Sequence, residues 1–287
     1  MYCLTGFKFV YSDLSRYNES VTIVFLEIKL WGEYMPALDM EKSSYDVTDL
    51  TSLDKLEPVR MRPGMYIGNT GSRGLHHCLW EILDNAIDEI SNGFGDTAVG
   101  TLHKDRSCTV SDNGRGVQTD AHPDKKITGV EMVYTELHTG GKFNNKNYKT
   151  AGGLHGVGGS VVNALSEWFE VDVYRAGKHH YMRFENAFDQ QLGKVMPGTP
   201  VTKLEVKGRT DRTGTQVHFM PDKLVFGEQL FKFEPIDERM KELSFQNKGI
   251  TLKLIDERGE EVVEKSYHSE IGLLDFIAYL NESKVTI

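Results

Sequence analysis

The sequence predicts an α+β fold in which one layer of helices packs on a sheet. Two observations carry this. Short stretches of alternating apolar and polar residues recur along the chain, and one long segment repeats apolar residues at helical spacing. The alternating stretches cover residues 108–110, 171–174, 201–206, 216–220 and 250–255. Each has the pattern of a strand with one buried face.

The long segment is residues 75–90, where Leu79, Ile82, Leu83, Ala86, Ile87 and Ile90 recur every three or four positions and form one apolar stripe. Asn92-Gly93 supplies its stop. A second helix is predicted from Ser160 through Val161, Val162 and Leu165 to Trp168, and a third within residues 238–245. Between Thr139 and Gly159, Gly, Asn and Lys crowd together, so this stretch reads as a long functional loop. There is no internal repeat or low-complexity tract.

A length of 287 residues with 39% hydrophobic and 26% charged content describes a folded, soluble chain. The formal net charge of -9 argues against a protein whose whole surface grips nucleic acid, since phosphate contacts need a surplus of Lys and Arg. Cys3, Cys78 and Cys108 show no CxxC spacing and read as reduced thiols, as expected in the cytoplasm. The apolar run at residues 21–31 is interrupted by Glu27 and Lys29 and falls short of the roughly 20 residues that span a bilayer. No membrane contact and no export signal are expected.

Four elements could carry chemistry. At about 100° per residue, His77, Glu81, Asp84, Asn85 and Asp88 share the helix face opposite the apolar stripe. Alone, that is the ordinary solvated face of an amphipathic helix. Ser111-Asp112-Asn113-Gly114-Arg115-Gly116 follows a strand, and its glycines let the backbone approach a flat ligand, although Asp, Asn and Gly also make plain turns. Gly152-Gly153-Leu154-His155-Gly156-Val157-Gly158-Gly159 leads into a helix and would aim free amides at an anion. It lacks the Gly-Lys-Ser/Thr of a Walker loop and fits the dinucleotide fingerprint poorly. Lys142, Lys149 and Arg175 stand near it in sequence and could neutralise phosphate or simply be solvated. The fourth, Arg212-Thr213-Gly214-Thr215, precedes a strand and has the composition of a hairpin turn.

In this order the four elements resemble the nucleotide-binding domain shared by gyrase, an ATP-driven chaperone, histidine kinases and a mismatch-repair protein, the GHKL or Bergerat ATPases. Three strings narrow the resemblance to the B subunits of bacterial type IIA topoisomerases: Arg62-Pro63-Gly64-Met65-Tyr66-Ile67-Gly68, Gly74-Leu75-His76-His77, and Gly152 to Ser160 running into Val161-Val162-Asn163-Ala164-Leu165-Ser166. Residues 166–171, 183–186 and 148–150 look more like topoisomerase IV than gyrase. The resemblance covers about Tyr45 to the C-terminus. It implies a two-layer α/β sandwich with helices on a mixed, mainly antiparallel sheet. It also divides the chain into an extension at 1–40, the ATP-binding domain with its N-terminal arm at 41–265, and the start of a transducer domain at 266–287.

The resemblance further implies ATP and Mg2+ as cofactors. Glu81 is then the base for the water that attacks the γ-phosphate, His77 orients it, and Asn85 coordinates the metal. Asp112 accepts the adenine amino group, with Thr215 reaching the same edge through water. Gly116 lets the base lie close, Arg115 pairs with Glu89, and Tyr148 flanks the base. Lys142, Lys149, Gly153, Leu154, His155, Gly156, Val157 and Gly158 wrap the triphosphate as a lid, and Arg175 holds the position that coumarin inhibitors contact. Tyr45 and Leu50 match an arm that reaches over a partner's nucleotide. The implied partners are therefore a second B subunit, an A subunit in an A2B2 tetramer, and DNA through that assembly.

Two substitutions depart from the family pattern: Gln118 stands where proline is usual, and Asn113 where many gyrases have an acid. The relatives also continue beyond the position of Ile287 into a transducer domain that contributes a lysine to the γ-phosphate, and then into a DNA-cleavage module. This polypeptide is accordingly expected to bind ATP and hydrolyse it slowly. Two other readings stay open: a nucleotide-gated dimerisation module without catalysis, and a sensor kinase of the same superfamily.

Overall fold

A computed structural model describes residues 55–139, 156–190 and 193–281. The expectations for residues 1–40, Tyr45, Leu50, Lys142, Tyr148, Lys149, Gly153, Leu154 and His155 lie outside the described residues.

The chain opens with α1 (Glu57–Met61), α2 (Gly64–Ile67) and the long α3 (Ser72–Ser91), followed by β1 (Thr97–Leu102) and β2 (Cys108–Asp112). Two short helices, α4 (Gly129–Thr135) and α5 (Gly158–Ala164), precede β3 (Ser166–Arg175), β4 (Lys178–Asp189), β5 (Lys194–Pro200), β6 (Glu205–Arg209) and β7 (Gly214–Pro221). Then come α6 (Lys223–Phe226), α7 (Phe233–Gln246), β8 (Thr251–Asp256), β9 (Val263–His268) and α8 (Leu273–Asn281). The strands make one sheet in the order β5-β4-β3-β7-β2-β1-β8-β9, with β6 added to β4. Among the described residues β1 and β8 pair in parallel and the other named pairs are antiparallel. This is the expected α+β sandwich on a mixed, mainly antiparallel sheet. None of the described helices is long and apolar enough to cross a membrane.

α3 forms where the apolar period predicts it. Leu75, Leu79, Ile82, Leu83, Ala86, Ile87 and Ile90 are all buried against the sheet, each large aliphatic side chain contributing roughly 1.5–3 kcal/mol of transfer free energy. Its start is held from upstream: Asn69 Oδ1 accepts from the amides of Gly71 and Gly74 at 3.0 and 3.3 Å, satisfying donors that the first helical turn leaves free. A Cβ on Gly74 would lie 1.7 Å from the Asn69 carbonyl oxygen, so glycine is required there. The helix ends at Asn92, and Gly93 takes a positive φ of 89°.

Four expectations need correction. Trp168 lies in β3, because α5 ends at Ala164 and the chain turns into the strand that buries Phe169, Val171 and Val173. Alternation wins there over the apolar run that suggested a longer helix. Residues 201–204 form a bend between β5 and β6, so the strand predicted over 201–206 is displaced; only its last two residues fall in β6. The helix predicted within 238–245 runs from Phe233 to Gln246, with Ile236, Met240 and Leu243 buried. Asp88, expected on the solvated face of α3, is buried.

Candidate active site

The polar face of α3 supplies one end of the site. His77 and Glu81 stand one turn apart, with His77 Nε2 3.2 Å from Glu81 Oε1 and both side chains half-buried. The hydrogen bond to Glu81 raises the His77 pKa above its ordinary value, against a smaller opposing effect of burial. Asn85, a further turn along, is exposed. The neighbouring histidine does a different job: buried His76 donates through Nδ1 to the Ser72 carbonyl at 2.6 Å and accepts at Nε2 from the Lys232 amide at 2.9 Å. The adjacent pair in the sequence thus divides into a structural imidazole and one that faces the acid.

The start of α5 closes against this end. A Cβ built on Gly158 would lie 2.1 Å from Glu81 Oε2 and 3.1 Å from Glu81 Cβ. Glycine at 158 therefore lets the backbone of the glycine-rich segment lie directly on the carboxylate. Val157 caps α5 without a side-chain hydrogen bond, and the Gly156 carbonyl accepts from the Thr139 amide at 3.0 Å.

The other end is built where β2 meets β7. Ser111 pairs with Gln216, which sets Asp112 beside Thr215. Asp112 Oδ1 accepts from the amides of Gly114 at 2.8 Å and Thr215 at 3.3 Å. Among the described residues no hydrogen bond to its second oxygen, Oδ2, accompanies these two. Burial pushes the Asp112 pKa up to about 6, although both amide bonds favour the ionised form. Thr215 Oγ1 accepts from the Val117 amide at 3.2 Å.

Glycines bring the turn beyond β2 close to its surroundings. A Cβ on Gly116, whose φ is 76°, would lie 2.9 Å from the Gly214 carbonyl oxygen and 3.1 Å from that of Tyr174. The turn is then pinned from both sides. Arg115 makes a two-pronged pair with Glu89 at 2.6 and 2.9 Å and lies 3.4 Å over the Phe94 ring. Arg175 donates to the carbonyls of Arg115 and Gly116 at 3.0 and 2.7 Å. Its guanidinium thereby stabilises the turn at the Asp112 end.

The described part of the predicted site thus forms two clusters: His77, Glu81, Val157 and Gly158 at one, Asp112, Arg115, Gly116, Arg175 and Thr215 at the other. The sequence reading missed Asn69 and Phe94. The upstream Asn before a helix start is a usable signal for the first, whereas stacking of Phe94 on Arg115 depends on tertiary geometry alone.

The described residues contain no group of three His, Cys, Asp or Glu side chains able to hold an ion. One amide oxygen from Asn85 suits a hard cation that takes most of its ligands from phosphate and water.

Comparison with known proteins agrees with this geometry. The sequence family described as histidine kinase-, DNA gyrase B- and HSP90-like ATPase matches residues 70–223, more than half of the chain. The DNA gyrase B subunit of Halalkalibacterium halodurans is 46% identical over 248 residues, covering 86% of this chain and 37% of that protein. The DNA topoisomerase 4 B subunit of Enterococcus faecalis is 47% identical over 246 residues, covering 85% and 34%. The sequence preference for topoisomerase IV over gyrase is thus not resolved, and the chain spans about a third of the length of these relatives. The 43K ATPase domain of Thermus thermophilus gyrase B, solved with an aminocoumarin, superposes with a TM-score of 0.68 at 38% identity, over 79% of this chain and 55% of that one. With a family match across the site and a fold that follows it, this chain belongs to the histidine kinase-, DNA gyrase B- and HSP90-like ATPase family.

Proposed function

We propose that this chain is the ATP-binding and ATP-hydrolysing part of a bacterial type II topoisomerase B subunit, in which nucleotide binding closes a dimer gate that drives DNA strand passage. The observation that supports the reading is the close approach of Gly158, at the end of the glycine-rich stretch, to the Glu81 carboxylate, in keeping with backbone amides that bind an anion beside a base. Asp112 Oδ2 accepts the adenine amino group, and Thr215 sits at the same edge. Guanine presents a carbonyl at that position, which would leave the carboxylate unpaired, so adenine is selected.

Hydrolysis follows from the other cluster. Glu81 takes a proton from a water as its oxygen bonds to the γ-phosphorus, and the bond from phosphorus to the β,γ-bridging oxygen breaks, giving ADP and inorganic phosphate. His77 holds the Glu81 carboxylate in register through its Nε2. Mg2+, when bound, neutralises phosphate charge, with Asn85 as its protein ligand. Gly156, Val157 and Gly158, together with Gly153, Leu154, His155, Lys142 and Lys149, contact the triphosphate; Tyr148 flanks the base, and Tyr45 and Leu50 reach the partner protomer's nucleotide. The wider assembly is a second B subunit, an A subunit carrying the cleavage tyrosine, and DNA. An aminocoumarin would compete at the Asp112 end, over the turn that Arg175 pins.

The test is phosphate release by the wild type and Glu81→Gln, with affinity for a non-hydrolysable ATP analogue measured alongside. A loss of about 10²–10⁴-fold in rate with affinity retained is the expected result. Equal hydrolysis by both would remove Glu81 as the base and favour a nucleotide-gated dimerisation switch.

A further inference from the structure

Helix α5 carries Gly158 onto Glu81, yet it has only 7 residues. A helix this short does not hold its own position, because two turns cannot offset the cost of nucleation. It also has no side-chain cap at its start. Something else must fix it, and the described residues show what does.

Asn163, on the last turn of α5, is 1% exposed. Its Nδ2 donates to two carbonyls on two other elements, Tyr134 in α4 at 2.8 Å and Gly198 in β5 at 3.1 Å. Its Oδ1 is buried with no hydrogen-bond partner among the described residues. A buried amide with half its capacity unused stabilises less than an apolar side chain of the same shape would. What the asparagine contributes is therefore position: two directional bonds that fix the rotation and height of α5. The fit is close, since a Cβ on Gly198 would lie 2.7 Å from Nδ2. The Tyr134 ring in turn backs the first turn of α5, 2.9 Å from where a Cβ on Gly159 would stand.

The carbonyls at the end of α5 are held by a second set of side chains. Arg60 of α1 donates through one nitrogen to the Ala164 carbonyl at 3.4 Å and pairs through the other with Asp222. The Asp222 amide donates to the Leu165 carbonyl at 3.1 Å, and Asn186 Nδ2 donates to Asp222 Oδ2 at 2.9 Å and to the Ser166 carbonyl at 3.1 Å. These bonds satisfy acceptors that a helix end otherwise leaves free, and they link α1 to the same short helix.

From this arrangement we infer that Asn163 and Arg60 are positioning residues for hydrolysis: they hold α5 so that Gly158 presses on Glu81 and fixes the carboxylate's place. This rests on the reading of Glu81 as the base. The bonds of both residues go to Tyr134, Gly198, Ala164 and Asp222 rather than to either cluster of the site; because α5 also carries backbone assigned to the triphosphate, their loss weakens binding somewhat and the chemical step more. Displacement of a reacting group by about 1 Å costs up to roughly 10²-fold in rate.

The test uses the full chain carrying Asn163→Leu, which keeps the volume and removes both donors, and Arg60→Lys, which keeps the charge for Asp222 and loses the second arm. Each variant's melting temperature, kcat, KM and affinity for a non-hydrolysable ATP analogue are measured, with Glu81→Gln as reference. The inference predicts that kcat falls about 10–100-fold in variants folded at the assay temperature, a larger loss than that of analogue affinity. If Asn163→Leu melts below the assay temperature, Arg60→Lys decides. Unchanged kcat in a folded variant, or parallel losses of kcat and affinity, would overturn it. Should Glu81→Gln hydrolyse like the wild type, the assignment of the base fails instead, which separates the two conclusions.

Discussion

Asp112 shows how one side chain can set both specificity and pH response. With its pKa pushed up to about 6 by burial, the carboxyl in the free domain holds its proton below that value. Its contribution to stability is therefore full below the unfolded value near 3.9 and is lost as pH rises through about 6. An adenine amino group donating to Oδ2 favours the ionised form, so binding near pH 6 expels a proton. The expected outcome is an affinity for the ATP analogue that is flat above pH 7 and weakens below pH 6, by at most about tenfold per unit. Asp112→Asn, measured by the same titration calorimetry, should flatten the profile and weaken binding by about 1.5–3 kcal/mol, the range for hydrogen bonds to charged groups. A wild-type profile that does not bend near 6 would remove Asp112 from the base-recognition role. At Gly158 the prediction is steric: Gly158→Ala forces a methyl into Glu81, and phosphate release should fall while the fold, followed by circular dichroism, persists.

At the scale of elements, α3 is where sequence and structure agree most closely, and the reason is physical. Its apolar stripe is a local property of the chain, and burial of Leu83 to 1% exposure follows from its place in that stripe. Leu83→Ala should cost about 2–5 kcal/mol, read as a lower thermal midpoint; a loss below about 1 kcal/mol would mean that the helix packs elsewhere. The contact of His77 with Glu81 was legible for the same reason, since the two are one turn apart by spacing alone. What was not legible depends on partners distant in the chain. The strand identity of Trp168 is fixed by pairing with Glu185 and Met220, and the burial of Asp88 by the tertiary surroundings of α3. The contacts of Arg175 were not legible either, because they go to the Arg115 and Gly116 carbonyls across 60 and 59 positions of sequence.

The whole molecule pairs the proposed nucleotide site with an acidic balance of -9. A chain of this charge, tested alone at physiological salt, should leave duplex DNA unshifted in an electrophoretic assay, because it lacks the cationic surplus for phosphate contacts; a tight, salt-sensitive shift would contradict that. The event to measure is then the proposed binding of nucleotide, on which the proposed gate and hydrolysis both depend. The most direct measurement is calorimetric titration of the wild-type chain with non-hydrolysable analogues of ATP and GTP in Mg2+. The two-cluster site predicts saturable binding of one ATP analogue per chain, discrimination against the GTP analogue, and loss of that discrimination in Asp112→Asn. Equal affinity for the two analogues, or binding to neither, would contradict it.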